Sequence, residues 1–231
     1  MITFLVPTFN EKENIFVFIN TINSLKIKVE YEFLFVDDNS LDGTRNELSN
    51  AKKQYSNVNY LIRNEKNRDL TQSIVSAISQ LDKKYTFVLD CDLQHEYQKI
   101  PEIINIIMRE EIDLIIGSRF INKDKNVLMN KLRIMESKLA ILLSKVVGVK
   151  NIKDPMSGFF IIKTNLLTKI EKKIKTRGFK ILLTLLHIYK NKIEYREVPI
   201  KFRKRKSGES KLNFRVKILF LEQILKLKLK I

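Results

Sequence analysis

Five short apolar runs punctuate the first 120 residues, and segments long enough for helices separate them: ITFLVP (2–7), YEFLFV (31–36), VNYLI (58–62), TFVL (86–89) and DLIIG (113–117). β-Branched and aromatic residues dominate these runs, as strands require. Between them, NIFVFINTI (14–22), LTQSIVSAI (70–78) and a stretch near 101–110 carry helical patterning. Alternation of this kind predicts an α/β fold with a mainly parallel central sheet and crossover helices. Asn10 is placed to cap the first helix, with Glu13 bonding back in a capping box.

Past residue 120 the pattern changes. LRIMESKLAILLSKVVGV (132–149) reads as a long amphipathic helix with basic residues on one side, and FKILLTLLHIYK (179–190) as a strongly apolar helix. IEYREVPIKF (193–202) reads as a strand, and FRVKILFLEQILKLKLKI (214–231) as a basic amphipathic helix. That last segment suits the plane of a bilayer interface; packing on the protein's own core would give the same periodicity. No repeat or low-complexity linker divides the chain.

Two of the strands end in carboxylates. FLFVDDNS puts Asp37 and Asp38 after the second, and FVLDCDLQH puts Asp90 and Asp92 after the fourth. Ligands gather at the carboxyl ends of parallel strands, so four acids are expected along one functional edge. Unpaired, they would repel and raise one another's pKa values. A divalent cation removes that penalty. Asp-x-Asp with the Gln94 amide offers only oxygen ligands, which suits Mg²⁺ or Mn²⁺, and such ions keep positions open for substrate phosphates. A helix cap and a surface turn would account for the same two acids without a metal. Cys91 is expected to turn away as a small apolar residue, and His95 is left out of the ligand set.

Charge is unevenly spread. Residues 161–231 hold 21 Lys and Arg against 5 Asp and Glu, whereas the rest of the chain holds 22 against 21. A near-neutral body with a cationic end points to polyanionic partners: phosphate substrates, acidic lipid or nucleic acid. The single cysteine excludes an internal disulfide and fits a reducing compartment. MITFLVPTFNEKEN lacks the basic start and cleavage site of a signal peptide. No apolar run approaches the ~20 residues that span a bilayer. A cytoplasmic chain, peripheral at the cytoplasmic face of a membrane, is the expectation.

Six motifs occur in order: VPTFNEKENI (6–15), FVDDNSLDGT (35–44), LDCDLQH (89–95), IIGSRF (115–120), DPMSGFF (154–160) and EVPIKFRKRKSGESKL (197–212). Together they resemble the family-2 glycosyltransferases, and within them the dolichol-phosphate mannose synthase and polyprenyl-phosphate glycosyltransferase group. The resemblance implies a Rossmann-like GT-A catalytic domain over 1–212, with 213–231 as the amphipathic basic helix. It implies a nucleoside-diphosphate sugar donor, GDP-mannose favoured, a polyprenyl or dolichyl phosphate acceptor, and Mg²⁺ or Mn²⁺. Donor binding falls on Pro7, Phe9, Glu11, Val36, Asp38, Asp90, Cys91, Asp92, Arg119, Arg205 and Lys211. Metal binding falls on Asp90, Asp92 and Gln94, and the acceptor phosphate on Arg119, Arg133 and Ser137. Asp92 and Arg119 carry the catalytic roles. A membrane surface and a small membrane-anchoring subunit are implied partners.

The chain departs from the family pattern at three places. Phe9 stands for the usual Tyr, Cys91 for the usual Ala, and Asp69 and Thr71 for two glycines in NRDLTQS. Asp69 is thereby expected to offer an acceptor to the base or ribose. A UDP-sugar donor of the glucose or GlcNAc type and a glycan acceptor are the alternatives within the class. A glycan acceptor would demand a carboxylate base where the chain is cationic. A nucleotidylyltransferase would show a Gly-rich, lysine-bearing loop that VPTFNEKEN does not supply. Nucleic-acid binding leaves the acidic edge unexplained, so no nucleic acid partner is expected.

Overall fold

The computed structural model describes residues 1–65, 67–121, 131–174, 177–190, 192–203 and 214–229, without the side chains of 131–133 and 214–215. Strands β1 (Ile2–Thr8), β2 (Tyr31–Asp37), β3 (Val58–Ile62), β4 (Tyr85–Val88), β5 (Leu114–Ser118), β6 (Phe160–Lys163) and β7 (Tyr195–Pro199) form one sheet. Their order is β3-β2-β1-β4-β6-β5-β7. All run parallel except β6, which is antiparallel to both of its neighbours. The carboxyl ends of β1, β2, β4 and β5 therefore share one edge.

Both faces of the sheet are buried, which is why its strands read as continuous apolar runs. Alternate residues serve different layers. Phe4, Phe33, Phe35, Phe87 and Ile161 face a layer packed by α1 (Ile15–Asn23) and α4 (Ile100–Glu110). Leu5, Leu34, Val36, Val88 and Ile162 face the other, packed by α3 (Leu70–Ala77), α6 (Thr164–Ile170) and α7 (Ile181–Tyr189). The first layer is largely aromatic: Phe18 meets Phe35 and Tyr97 edge-on at centroid separations of 5.9 and 5.4 Å. The second is aliphatic, and Ile224 and Leu227 of α8 (Phe214–Leu229) belong to it. α5 (Lys131–Val146) lies against α8, tied by Lys217 to Glu136 at 2.7 Å.

Several elements differ from the reading of the sequence. α1 begins after Asn14, not Asn10. Asn10 adopts a left-handed φ of 51° and accepts the Leu41 N–H, so it ties two loops together and caps no helix. α2 (Thr44–Gln54) was hidden by its polarity, burying only Thr44, Leu48 and Ala51. β6 and α6 follow DPMSGFF without a break, so no turn signal separates them.

Gly117 marks where β5 meets the chain before β6. Its N–H donates to the Phe159 carbonyl at 2.8 Å, and a Cβ there would lie 2.4 Å from the Phe159 ring. Gly117→Ala is expected to lower unfolding stability by about 1–3 kcal/mol through overpacking. Urea denaturation reads this as a lower midpoint at constant slope; an unchanged midpoint contradicts the packing.

Candidate active site

The turn after β4 is built by side chains reaching back to its backbone. Tyr97, buried, donates its hydroxyl to the Asp90 carbonyl at 2.5 Å and accepts the Leu93 N–H at 3.3 Å. Asp92 accepts the Gln94 N–H at 3.1 Å. Leu93, between them, has a φ of 61°, a conformation that costs a branched side chain energy and persists only where its surroundings impose it. Gly158 packs against the same turn, where an added Cβ would lie 3.1 Å from an Asp90 carboxylate oxygen. The result is a carboxylate–carboxylate–amide set held at the edge of a cleft of about 660 Å³, which Asp90, Asp92 and Gln94 line.

Gln94 is fixed from the far side. Its Nε2 donates to the Arg203 carbonyl at 3.1 Å, and the Arg203 N–H donates to the Gln94 carbonyl at 2.8 Å. Oxygen is then the atom the Gln94 amide has for a cation. His95 bridges to Phe202 and sits between its ring and that of Phe159, at 5.4 and 5.0 Å. Burial lowers its pKa to about 4, so the imidazole is neutral at pH 7. Among the described residues no group of three His, Cys, Asp or Glu is arranged to hold a metal. Two carboxylates and one amide nonetheless fit a hard cation that takes its remaining ligands from phosphate oxygens.

The acids after β2 have different fates. Asp37 is fully buried, accepts from Arg45 Nε at 3.1 Å and from the Ser40 N–H at 3.0 Å, and does not line the cleft. Asp38 lines the cleft, pairs with Arg63, and accepts the Asp69 N–H at 2.6 Å. Three of these four strand-end acids therefore line the cleft, and an arginine already offsets one of them.

Arg119 lines the cleft but its guanidinium is committed. Nε and Nη2 each donate to Asp154 at 2.7 Å, and its backbone N–H donates to Asp154 at 3.1 Å. Burial works against the cation, yet Asp154 outweighs it and raises the Arg119 pKa. Glu197 in turn accepts the Asp154 N–H at 3.0 Å. The sequence does not disclose this pair, because its partners lie 35 residues apart.

Of the other anticipated residues, Pro7, Phe9, Glu11, Cys91 and Ser137 line the cleft, and Glu11 accepts from Asn14 Nδ2 at 2.6 Å. Val36 is fully buried in β2 below it. The side chain of Arg133 and the whole of Arg205 and Lys211 lie outside the described residues. Asp69 does not offer itself to a ligand: its carboxylate caps α3 through the Gln72 N–H at 3.0 Å and accepts the Gly178 N–H at 3.0 Å. Burial, the largest influence, raises its pKa despite those bonds. Arg68, Lys180 and Arg203 line the cleft and were not anticipated.

Where α5 and α8 line it the cleft is largely apolar, with Glu136, Ser137 and Lys217 among the lining residues. Leu139, Ala140 and Leu143 of α5 and Val216, Phe220 and Leu221 of α8 form this wall. Leu139 and Leu221 are also exposed at its rim, and Met135, Leu142 and Val146 on α5 and Ile218, Leu225 and Leu229 on α8 are exposed outside it. Among the described residues no helix is long and apolar enough to cross a membrane.

A mixed sheet flanked by helices, with acids at its carboxyl edge, defines a GT-A type of fold. It is matched by glucosyl-3-phosphoglycerate synthase from Mycobacterium tuberculosis in complex with Mn²⁺, UDP and glucosyl-3-phosphoglycerate. The TM-score is 0.71 at 15% identity, over all of this chain and 79% of that one. The chain belongs to glycosyl transferase family 2, whose model matches residues 3–171. It is 31% identical to dolichol-phosphate mannosyltransferase of Pyrococcus furiosus over 98% of this chain. It spans only 63% of that relative's length. The Saccharomyces cerevisiae enzyme of the same name is 30% identical over 95% of this chain and 84% of its own.

Asp154→Ala would leave Arg119 as an uncompensated buried cation. A loss of about 3–5 kcal/mol in unfolding free energy is expected, read by chemical denaturation. A loss below about 1 kcal/mol would show that the pair does not hold this edge together.

Proposed function

We propose that this chain transfers a hexose, most simply mannose from GDP-mannose, to a polyprenyl or dolichyl monophosphate, with inversion and with Mg²⁺ or Mn²⁺. One observation carries the reading: a single cleft runs from the acidic strand edge to an apolar wall made by α5 and α8. A water-soluble donor with a diphosphate suits one end, and an isoprenoid chain suits the other. The relatives' name, dolichol-phosphate mannosyltransferase, supports the acceptor and the sugar.

Asp90, Asp92 and Gln94 would hold the cation, which when bound offsets the charge of the departing diphosphate. The chain's own residues do the rest. Phe9 and Pro7 pack the nucleoside, and Glu11 and Asp38 take its polar groups. Arg205 and Lys211 are assigned to the phosphates by the resemblance alone, as added positive charge. Arg119, held rigid by Asp154, would act with Ser137 and Arg133 to aim an acceptor phosphate oxygen at the anomeric carbon. Because Arg119 is fixed before substrate arrives, little reorganisation is needed as charge develops. The acceptor phosphate is anionic near neutral pH, so it needs no strong base, and neutral, buried His95 is not called on. Attack in line with the departing diphosphate turns an α-linked donor into a β-linked product. The exposed apolar stripes of α5 and α8 lie at the cytoplasmic face of the membrane, with or without a small anchoring subunit.

Wild type and Asp92→Ala, assayed with several nucleotide sugars and a short polyprenyl phosphate, test this. Mass spectrometry is expected to find a hexosyl-phosphoryl lipid that disappears when divalent cations are chelated. Asp92→Ala is expected to lower turnover at least about a hundredfold. Full activity of that variant, or product without lipid phosphate, would overturn the proposal.

A further inference from the structure

We propose that Arg68 reads the nucleobase of the donor and selects guanine. The inference rests on the nucleoside-diphosphate donor proposed above. The Arg68 guanidinium carbon lies over the Phe9 ring, 3.9 Å from its centroid, and 5.9 Å from that of Phe179. All three residues line the cleft. Two aromatic rings from distant parts of the chain thus hold one planar cation at the cleft wall.

The backbone that carries Arg68 is pinned on its far side. The Asp69 N–H donates to Asp38, the Asp69 carboxylate accepts from Gly178, and the Thr71 N–H donates to the Gly178 carbonyl at 2.9 Å. The Asp69 carboxylate, which a glycine would lack, thereby fastens this loop to the segment bearing Phe179. Asp69 acts as a positioning residue, and Arg68 is the group presented to the ligand.

A guanidinium over a ring keeps its N–H groups in its own plane, directed past the ring's edge. A base entering beside Phe9 meets that fork edge-on. Guanine offers two adjacent acceptors, O6 and N7, which match a bidentate arginine; uracil offers O4 alone on the corresponding edge. The fork thus distinguishes the two bases, whereas a simple positive charge near the diphosphate would not.

Titration calorimetry of the full chain with GDP and with UDP, Mn²⁺ present, tests the assignment. Wild type is expected to bind GDP more tightly. Arg68→Ala is expected to weaken GDP about tenfold or more and UDP less than about threefold. Arg68→Lys keeps the charge and the stem against Phe9 but not the fork, and is expected to behave like Arg68→Ala; if the alanine variant fails to fold, it decides alone. Equal weakening of both nucleotides, restoration by lysine, or no effect would each overturn the role of Arg68. A wild-type preference for UDP would overturn it while leaving the donor class standing. Binding of neither nucleotide would remove the donor reading and the inference with it.

Discussion

The carboxyl edge of the sheet is an electrostatic problem that the rest of the molecule is arranged around. Asp37, Asp38, Asp90, Asp92 and Asp154 all lie close to it, and like charges in a partly desolvated place destabilise one another. Arginines meet three of them: Arg45 on Asp37, Arg63 on Asp38 and Arg119 on Asp154. Asp90 and Asp92 line the cleft beside an amide, where a hard cation and a diphosphate would complete the balance.

Much of this was legible in the sequence. Strands buried on both faces announce themselves as apolar runs, and the acids that end them stand out because charge abruptly follows an apolar run. Gln94 stood out as a candidate because it follows Asp-x-Asp so closely, and it lines the cleft with both aspartates. What remained hidden is long-range. Asp154 gives no sign that it will take both donor groups of Arg119. Tyr97 looks like an ordinary helix-start residue, yet its hydroxyl fixes the turn that carries both aspartates. Asp69 reads as a stray acid in a glycine position; its carboxylate becomes a helix cap and a clamp on Gly178.

The two late helices show why periodicity alone could not place them. α8 has two apolar faces. Ile224 and Leu227 are buried in the aliphatic layer, with Gln223 bonded to the Lys180 carbonyl at 2.8 Å and to Thr184 at 2.9 Å. Ile218, Leu221, Leu225 and Leu229 face outward. Core packing and a second apolar surface coexist on one helix, so the two readings of 214–231 were not exclusive. α5 supplies the matching outward stripe and one side of the cleft wall. The surface that would meet lipid is thus continuous with the cavity that would receive it.

The central claim is that acids and apolar wall belong to one working cleft. Photo-crosslinking with a short polyprenyl phosphate carrying a reactive group in its chain, followed by peptide mapping, tests it directly. Label is expected on the cleft-facing residues of α5 and α8, such as Leu143 or Phe220, displaced by unmodified lipid phosphate. Label absent from both helices, or scattered over the surface and indifferent to the competitor, would contradict it.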